Sequence, residues 1–183
     1  MKNGVKVGLV GIVTDYINVW EKKENLVGIQ VVDPFEAAKK ALEDLQGKVD
    51  LTICIYHGGF ESDLETGKRL SETTENIGYK ICTELGFDVL LTGHQHMPVA
   101  GRMVNGTYTL QPLANGREYA YVEIDLEKEA FSSGNATYPA AISSITSKKV
   151  QPNPDNAKAL CEKYSFVEDK VQEWLDEPLG HLS

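Results

Sequence analysis

The order of apolar and polar residues predicts alternating strands and helices over the first half of the chain. Apolar runs at Lys6–Val13, Leu51–Ile55 and Phe87–Leu91 are typical of strands buried in a parallel sheet. Between them, residues 34–45 and 76–85 carry apolar side chains at the three- and four-residue spacing of a helix face. Two strand–helix–strand passages in succession predict parallel strands joined by right-handed crossovers.

The first of these helices has clear signals at both ends. Asp33 suits the N-cap, Pro34 the first helical position, and Glu36 is placed for a capping box. Gly47 follows shortly after Leu45 and predicts the stop.

Beyond residue 96 the pattern becomes that of antiparallel strands. Asn105-Gly106 between the apolar runs Val99–Val104 and Thr107–Leu110 predicts a β-hairpin. A further strand at Tyr119–Asp125 is predicted to close this meander.

The last third of the chain is predicted as a loop followed by a helix. Residues 128–153, rich in Ser, Thr, Asn and Ala, are typical of a loop or linker. A helical pattern covers Pro154–Trp174, with a predicted break near Tyr164–Ser165.

Composition limits the classes of partner. The 183 residues carry a net charge of −9, which disfavours binding of a nucleic-acid polymer. No run approaches the roughly 20 apolar residues of a membrane span. A small phosphorylated substrate stays possible if divalent cations supply local positive charge.

Candidate chemistry is concentrated in three of the four histidines. His57 follows the second predicted strand, and His94 and His96 follow the third. Open α/β sheets place their ligands at the carboxyl ends of the strands, and imidazole is the commonest protein ligand of transition metals. The three together predict a metal site, although His57 alone would more often be a hydrogen-bonded turn residue.

Four motifs resemble the second half of a dinuclear metallophosphoesterase domain. The group that they resemble contains the 5′-nucleotidases and the 2′,3′-cyclic-nucleotide 2′-phosphodiesterases/3′-nucleotidases. The motifs are Tyr56-His57-Gly58-Gly59, Thr74-Glu75-Asn76-x-Gly78-Tyr79, Thr92-Gly93-His94-Gln95-His96 and Gln111-Pro112-x-x-Asn115-Gly116. The stretch from Gly11-Ile12-Val13-Thr14 through Trp20-Glu21 to Asp33 also resembles that group. The second and third motifs favour the cyclic-phosphodiesterase branch.

The resemblance implies an α/β fold, namely part of a calcineurin-like four-layer αββα sandwich with a C-terminal helical connector. Residues 1–127 would be the second half of the metallophosphoesterase domain, residues 128–153 a loop, and residues 154–183 the connector towards a nucleotide-binding domain. The chain would then be a fragment that begins about half-way into the catalytic domain.

The resemblance also implies roles for individual residues. His57 and His94 would bind one of two divalent ions (Mn, Zn, Co or Mg), His96 would bind the other, and Asn115 would contact the substrate. The family's remaining ligands lie in an Asp-x-His, a Gly-Asp and an Asn-His that also provides the general acid. None of these segments occurs in the 183 residues, so the catalytic acid cannot be assigned.

The implied activity is hydrolysis of phosphoester bonds in small nucleotides by a metal-bound hydroxide, at the cell envelope or outside the cell. Three alternatives stay open: a 5′-nucleotidase of the same family, an inactive remnant, and a mononuclear metal-binding module. The chain alone is predicted to be inactive. It is also predicted to expose an apolar edge or face at Lys6–Val13 and to form a dimer there.

Overall fold

A computed structural model describes residues 4–127, 142–178 and 180, which fall into two units, one ending at Val150 and one starting at Gln151. The first unit contains a 3₁₀ turn at Lys23–Leu26 and the elements β1 (Val7–Val13), α1 (Ile17–Trp20), α2 (Pro34–Leu45), β2 (Leu51–His57), α3 (Gly78–Glu84), β3 (Val89–Thr92), β4 (Val99–Val104), β5 (Thr107–Gln111), β6 (Tyr119–Leu126) and β7 (Ile142–Val150).

A five-stranded sheet in the order β1-β2-β3-β5-β4 forms the centre of this unit. The first four strands in that order run parallel, and β4 is antiparallel to β5. Val13 pairs with His57, and Tyr56 pairs with Thr92. The carboxyl ends of β1, β2 and β3 therefore lie side by side, and the predicted mixed α/β class with parallel strands is confirmed.

Helix α2 forms where its end signals predict it. The side-chain oxygen Oδ1 of Asp33 accepts hydrogen bonds from the amides of Phe35 (2.8 Å) and Glu36 (3.0 Å). These bonds satisfy amides that have no partner inside the helix. Ala38, at the centre of the helix, is fully buried.

The core lies on one face of the sheet. Buried side chains from β1, β2, α3, β3 and the turn before β3 share it: Val10, Ile12, Cys54, Tyr56, Ile81, Cys82, Phe87 and Leu90. Burial raises the pKa of the Cys54 and Cys82 thiols to about 12, because the apolar surroundings disfavour the thiolate. Both cysteines are free and buried.

The opposite face of β1 and β2 is apolar and open. Leu9 is 65% exposed, Val13 46% and Ile55 50%, although their strand neighbours are buried. The expected exposure of an apolar face at the first strand is thus present in the described residues.

The β4–β5 hairpin is confirmed, with Asn105 at φ 48° and Gly106 at φ 87° in its turn. The predicted meander is wrong. Strand β6 pairs antiparallel with β7 in a separate two-stranded sheet, with Tyr119 opposite Val150.

The predicted linker also needs correction. Its residues 142–150 form strand β7, while residues 128–141 lie outside the described residues. Ile142, Ile145, Thr146 and Val150 are β-branched and favour a pleated, half-buried strand. The many serines in the segment suggested a loop, but β6 supplies the partner that makes it a strand.

The second unit has a 3₁₀ turn at Pro154–Ala157 and then helix α4 (Lys158–Leu175). The predicted break near Tyr164–Ser165 is wrong, because α4 runs through both residues. A serine inside a helix costs only a fraction of a kcal/mol, at most roughly 0.7. No helix in the described part of the chain combines the length and apolarity needed to cross a membrane.

Candidate metal centre

His57 and His94 meet at the carboxyl ends of two neighbouring parallel strands. His57 is the last residue of β2, and His94 lies two residues beyond the end of β3. Their ring centroids are 5.3 Å apart, with the ring planes at 59°. The structure thus brings together two of the three histidines that the sequence singled out.

The loop after His57 requires glycine because other groups approach it closely. A Cβ on Gly58 would collide with the ring of Tyr56, and a Cβ on Gly59 would collide with the side chain of Gln95. The carbonyl oxygen of Gly58 accepts a hydrogen bond from the amide of Gly93 at 3.1 Å. The two histidine loops are therefore in direct contact.

Gln95 holds the two loops together. Its Oε1 accepts a hydrogen bond from the amide of Phe60 (2.8 Å), and its Nε2 donates to the carbonyl of Phe60 (2.9 Å). These two hydrogen bonds use both the oxygen and the nitrogen of the side-chain amide. Gln95 therefore acts as a brace between the loops that carry His57 and His94.

Both histidines of the second loop have left-handed backbone conformations. The φ angle is 66° at His94 and 57° at His96. Such a conformation costs a non-glycine residue roughly 1–3 kcal/mol, and it occurs often at functional sites. Favourable contacts elsewhere in the fold must offset the cost of this backbone conformation.

The structure does not bring His96 to the other two. His96 is exposed, and no group of three His, Cys, Asp or Glu side chains able to hold a metal occurs within residues 4–127 and 142–178. The geometry therefore presents a pair of imidazoles rather than a set of three.

Asn115, the predicted substrate contact, lies in an exposed turn between β5 and β6. Its φ is 61°, and that of Gly116 is 65°. Within the described residues, no hydrogen bond links its side chain to the histidine pair.

A glutamate that the sequence analysis left without a role contacts the pair directly. Oε1 of Glu75 lies 2.8 Å from Nε2 of His94. The His94 side chain is 18% exposed and that of Glu75 is 32% exposed, so solvent screens this contact only in part. Glu75 belongs to a recognised motif, but no local pattern indicates that it reaches a histidine 19 residues away.

The backbone of Glu75 is held from two strands. Its carbonyl oxygen accepts hydrogen bonds from the Thr14 hydroxyl (2.7 Å) and from the Tyr56 hydroxyl (3.2 Å). Burial raises the pKa of Tyr56, which keeps its hydroxyl a neutral donor. The amide of Thr14 in turn donates to the carbonyl of His57 at 3.1 Å.

Two aromatic rings from the segment after β1 complete the surroundings of His94. The Trp20 ring centroid lies 5.1 Å from that of His94, with the planes at 33°. Tyr16 packs edge-on against Trp20 at 5.6 Å. Trp20 and Tyr16 were also without an assigned role, because only the fold brings α1 to this edge of the sheet.

These residues fit part of a divalent-metal centre. Two imidazoles side by side suit a transition-metal ion. Asp15 follows Thr14, whose amide donates a hydrogen bond to the His57 carbonyl, and its Oδ1 is buried with no hydrogen-bond partner among the described residues, a state that a cation would relieve. The pair alone does not make a complete site for one ion, and still less for two.

The chain is similar to several nucleotide-acting proteins over part of their length. It is 26% identical over 192 residues to the trifunctional nucleotide phosphoesterase protein YfkN of Bacillus subtilis, covering 96% of this chain and 12% of that protein. It is 30% identical over 100 residues to a 2′,3′-cyclic-nucleotide 2′-phosphodiesterase/3′-nucleotidase of Salmonella typhimurium, covering 54% and 14%. No family model matches the chain.

A solved structure shares the fold. A Staphylococcus aureus protein assigned as a 5′-nucleotidase superposes with a TM-score of 0.70 at 26% identity, covering 84% of this chain and 29% of that one. The chain therefore has part of a metallophosphoesterase fold. It is a homologue of the 5′-nucleotidases and 2′,3′-cyclic-nucleotide phosphodiesterases, and it spans only a small part of their length.

Proposed function

We propose that this chain contributes His57 and His94 to the metal centre of a nucleotide phosphohydrolase of the 2′,3′-cyclic-nucleotide 2′-phosphodiesterase/3′-nucleotidase type. The observation that supports this proposal is the contact of the two imidazoles at adjacent strand ends. The nucleotide-acting relatives support a small nucleotide as substrate.

Within this proposal, His57 and His94 hold one divalent ion and His96 serves a second. When bound, the ions stabilise charge on phosphoryl oxygens and lower the pKa of bound water. Gln95 and the two glycines of the first loop keep the imidazoles at a fixed separation. Trp20 shields one part of the His94 ring from water.

The proposal includes a contribution from further polypeptide. Neutral imidazoles cannot offset the repulsion between two dications, so further carboxylate ligands and a general acid must come from elsewhere. The small share of the relatives' length that this chain spans supports this view. A 5′-nucleotidase of the same family is the alternative activity, since relatives of that kind also match.

One observation favours a second candidate function. The described residues present two adjacent imidazoles and no group of three metal-binding side chains. This arrangement favours an inactive remnant of the enzyme, or a mononuclear metal-binding module whose remaining ligands come from outside the histidine pair.

A chimera tests the proposed enzyme. The segment of this chain that aligns over 100 residues would replace its counterpart in the Salmonella typhimurium phosphodiesterase. We expect the chimera to hydrolyse 2′,3′-cyclic AMP with added Mn²⁺ or Co²⁺, and His94→Ala to abolish that activity. Glu72→Gln, at an exposed glutamate in the segment between β2 and α3, is the control and should leave it unchanged. A folded chimera that takes up metal but hydrolyses no cyclic nucleotide would contradict the proposal.

Activity assays on the isolated chain distinguish an incomplete dinuclear site from a mononuclear mechanism. We expect it to show no appreciable turnover of 2′,3′-cyclic AMP or of a chromogenic phosphate ester with Mn²⁺, Co²⁺ or Zn²⁺. Turnover that His94→Ala abolishes would instead indicate a mononuclear mechanism.

We also propose that the open apolar face of β1 and β2 is an association surface, occupied in the isolated chain by a second copy. Three large apolar side chains share it: Leu9, Val13 and Ile55. Apolar surface gains about 25 cal/mol for each Å² removed from water, which favours such association.

A further inference from the structure

We infer that Glu75 is a positioning residue whose carboxylate engages Nε2 of His94 and leaves Nδ1 as the nitrogen that binds a divalent cation. The inference rests on the proposed function for the presence of the cation. It adds the residue that orients His94 and the atom of His94 that would bind the cation.

The contact itself selects the nitrogen. A neutral imidazole carries one N–H donor and one acceptor, and an ionised carboxylate only accepts hydrogen bonds. At 2.8 Å from Oε1 of Glu75, Nε2 of His94 is therefore the protonated nitrogen, and the lone pair lies on Nδ1. The carboxylate also makes the ring a better electron donor towards a metal.

Glu75 is held in place before any metal arrives. Its carbonyl oxygen is fixed by Thr14 and Tyr56, whose side chains are fully buried. The next residue, Asn76, accepts a hydrogen bond from the Gly59 amide at 2.6 Å through Oδ1. The backbone that carries the carboxylate is thus tied to the ends of β1 and β2 and to the loop after His57, although it lies outside the regular elements.

The backbone of His94 also points to a constrained ring. A φ of 66° is unfavourable for a histidine, and contacts of the His94 ring offset part of its cost. The hydrogen bond to Glu75 and the packing against Trp20 are two such contacts. They restrict the direction in which Nδ1 can face.

Nitrogen-15 NMR of the histidine rings tests which nitrogen binds metal. Zinc chloride is added to the labelled full chain, and both ring nitrogens of His57 and His94 are followed. We expect the Nδ1 signal of His94 to shift while Nε2 keeps its proton. Loss of the Nε2 proton on zinc addition would overturn the inference, because zinc would then occupy the position assigned to the hydrogen bond.

The same titration separates this inference from the proposed function. If zinc moves no signal of either histidine, the metal centre fails. The hydrogen bond between Glu75 and His94 can still be tested in the metal-free chain. Glu75→Ala should remove that bond, so the Nε2 proton of His94 should exchange rapidly with water. An unchanged exchange rate in Glu75→Ala would overturn the positioning role by itself.

Zinc affinity gives a second measurement. We expect Glu75→Gln to weaken zinc binding by about 10–100-fold, as is typical when the partner of a ligating histidine is changed. The control Glu72→Gln removes the same charge from the same loop, where the Glu72 side chain is 89% exposed and pairs with Arg69 at 3.5 Å. It should change the affinity by less than about twofold, because exposed charges are screened. Equal weakening in both variants, or none in Glu75→Gln, would overturn the inference.

Discussion

The two faces of strands β1 and β2 have similar composition and opposite surroundings. On one face Val10 and Ile12 pack into the core, and on the other Leu9, Val13 and Ile55 are largely open. A near-continuous apolar run is typical of a strand covered on both faces. The comparison shows that a strand's sequence can indicate that it will be buried without indicating which part of the structure covers it.

The candidate metal centre lies beside the open face. His57 follows Ile55 by two residues in β2, so the two side chains lie on the same face of the sheet. Any second layer that covers the open face would therefore border the histidine pair. This links the two proposals about association and metal binding.

The largest expected effect is a difference in stability between the two faces of one strand. Ile12→Ala, on the buried face, should lower the free energy of unfolding by about 2–5 kcal/mol, because it leaves a cavity. Leu9→Ala, on the open face, should cost less than about 1 kcal/mol. Urea denaturation measures both. Both variants are compared below the dissociation constant of the dimer, and equal losses there would show that the open face is packed within the monomer.

A single charged side chain on the association surface should disrupt the dimer. We expect the isolated chain to sediment as a dimer and Leu9→Lys to shift it to a monomer, raising the dissociation constant at least about tenfold. A lysine cannot be buried there without a large desolvation cost. Arg117→Lys, in an exposed turn, serves as the control. A wild-type chain that is monomeric at micromolar concentration would contradict the proposed dimer.

Removing backbone strain at the edge of the sheet should increase stability, whereas Ile12→Ala lowers it. His96→Gly should raise the free energy of unfolding by about 1 kcal/mol, because glycine adopts the left-handed conformation readily. His94→Gly should gain less, because it also loses the hydrogen bond to Glu75. Thermal and urea unfolding check the two variants. A destabilised His96→Gly would mean that the exposed ring makes favourable contacts in solution.

The smallest effect concerns the chemical reactivity of the buried face. A thiol reagent at pH 8 should label Cys161, which is exposed, and leave Cys54 and Cys82 unmodified. Their pKa of about 12 keeps both in the protonated, unreactive form until the pH rises towards that value. Mass spectrometry of the intact chain measures the number of labels. Labelling of Cys54 in the native chain would show that the core face opens.

Local signals in the sequence predicted a large part of the fold. The cap at Asp33, the turn at Asn105-Gly106 and the strand ends before His57 and His94 all depend on neighbours within a few residues. Helix caps, hairpin turns and strand patterns are properties of short segments. The sequence therefore determined most elements, and it placed the two histidines at the edge where they meet.

Long-range contacts decided the rest. Strand β7 is a strand because β6 pairs with it, and Glu75 reaches His94 because Thr14 and Tyr56 hold its backbone from two other strands. The spacing of His94 and His96 suggested that both would lie with His57, but the three histidines form no group able to hold one metal ion in the described part of the chain. No short-range pattern carries this information, because each contact joins segments that only the folded sheet brings together. The sequence alone indicated which residues are candidates for binding a metal, and the tertiary structure decided which of these candidates lie side by side.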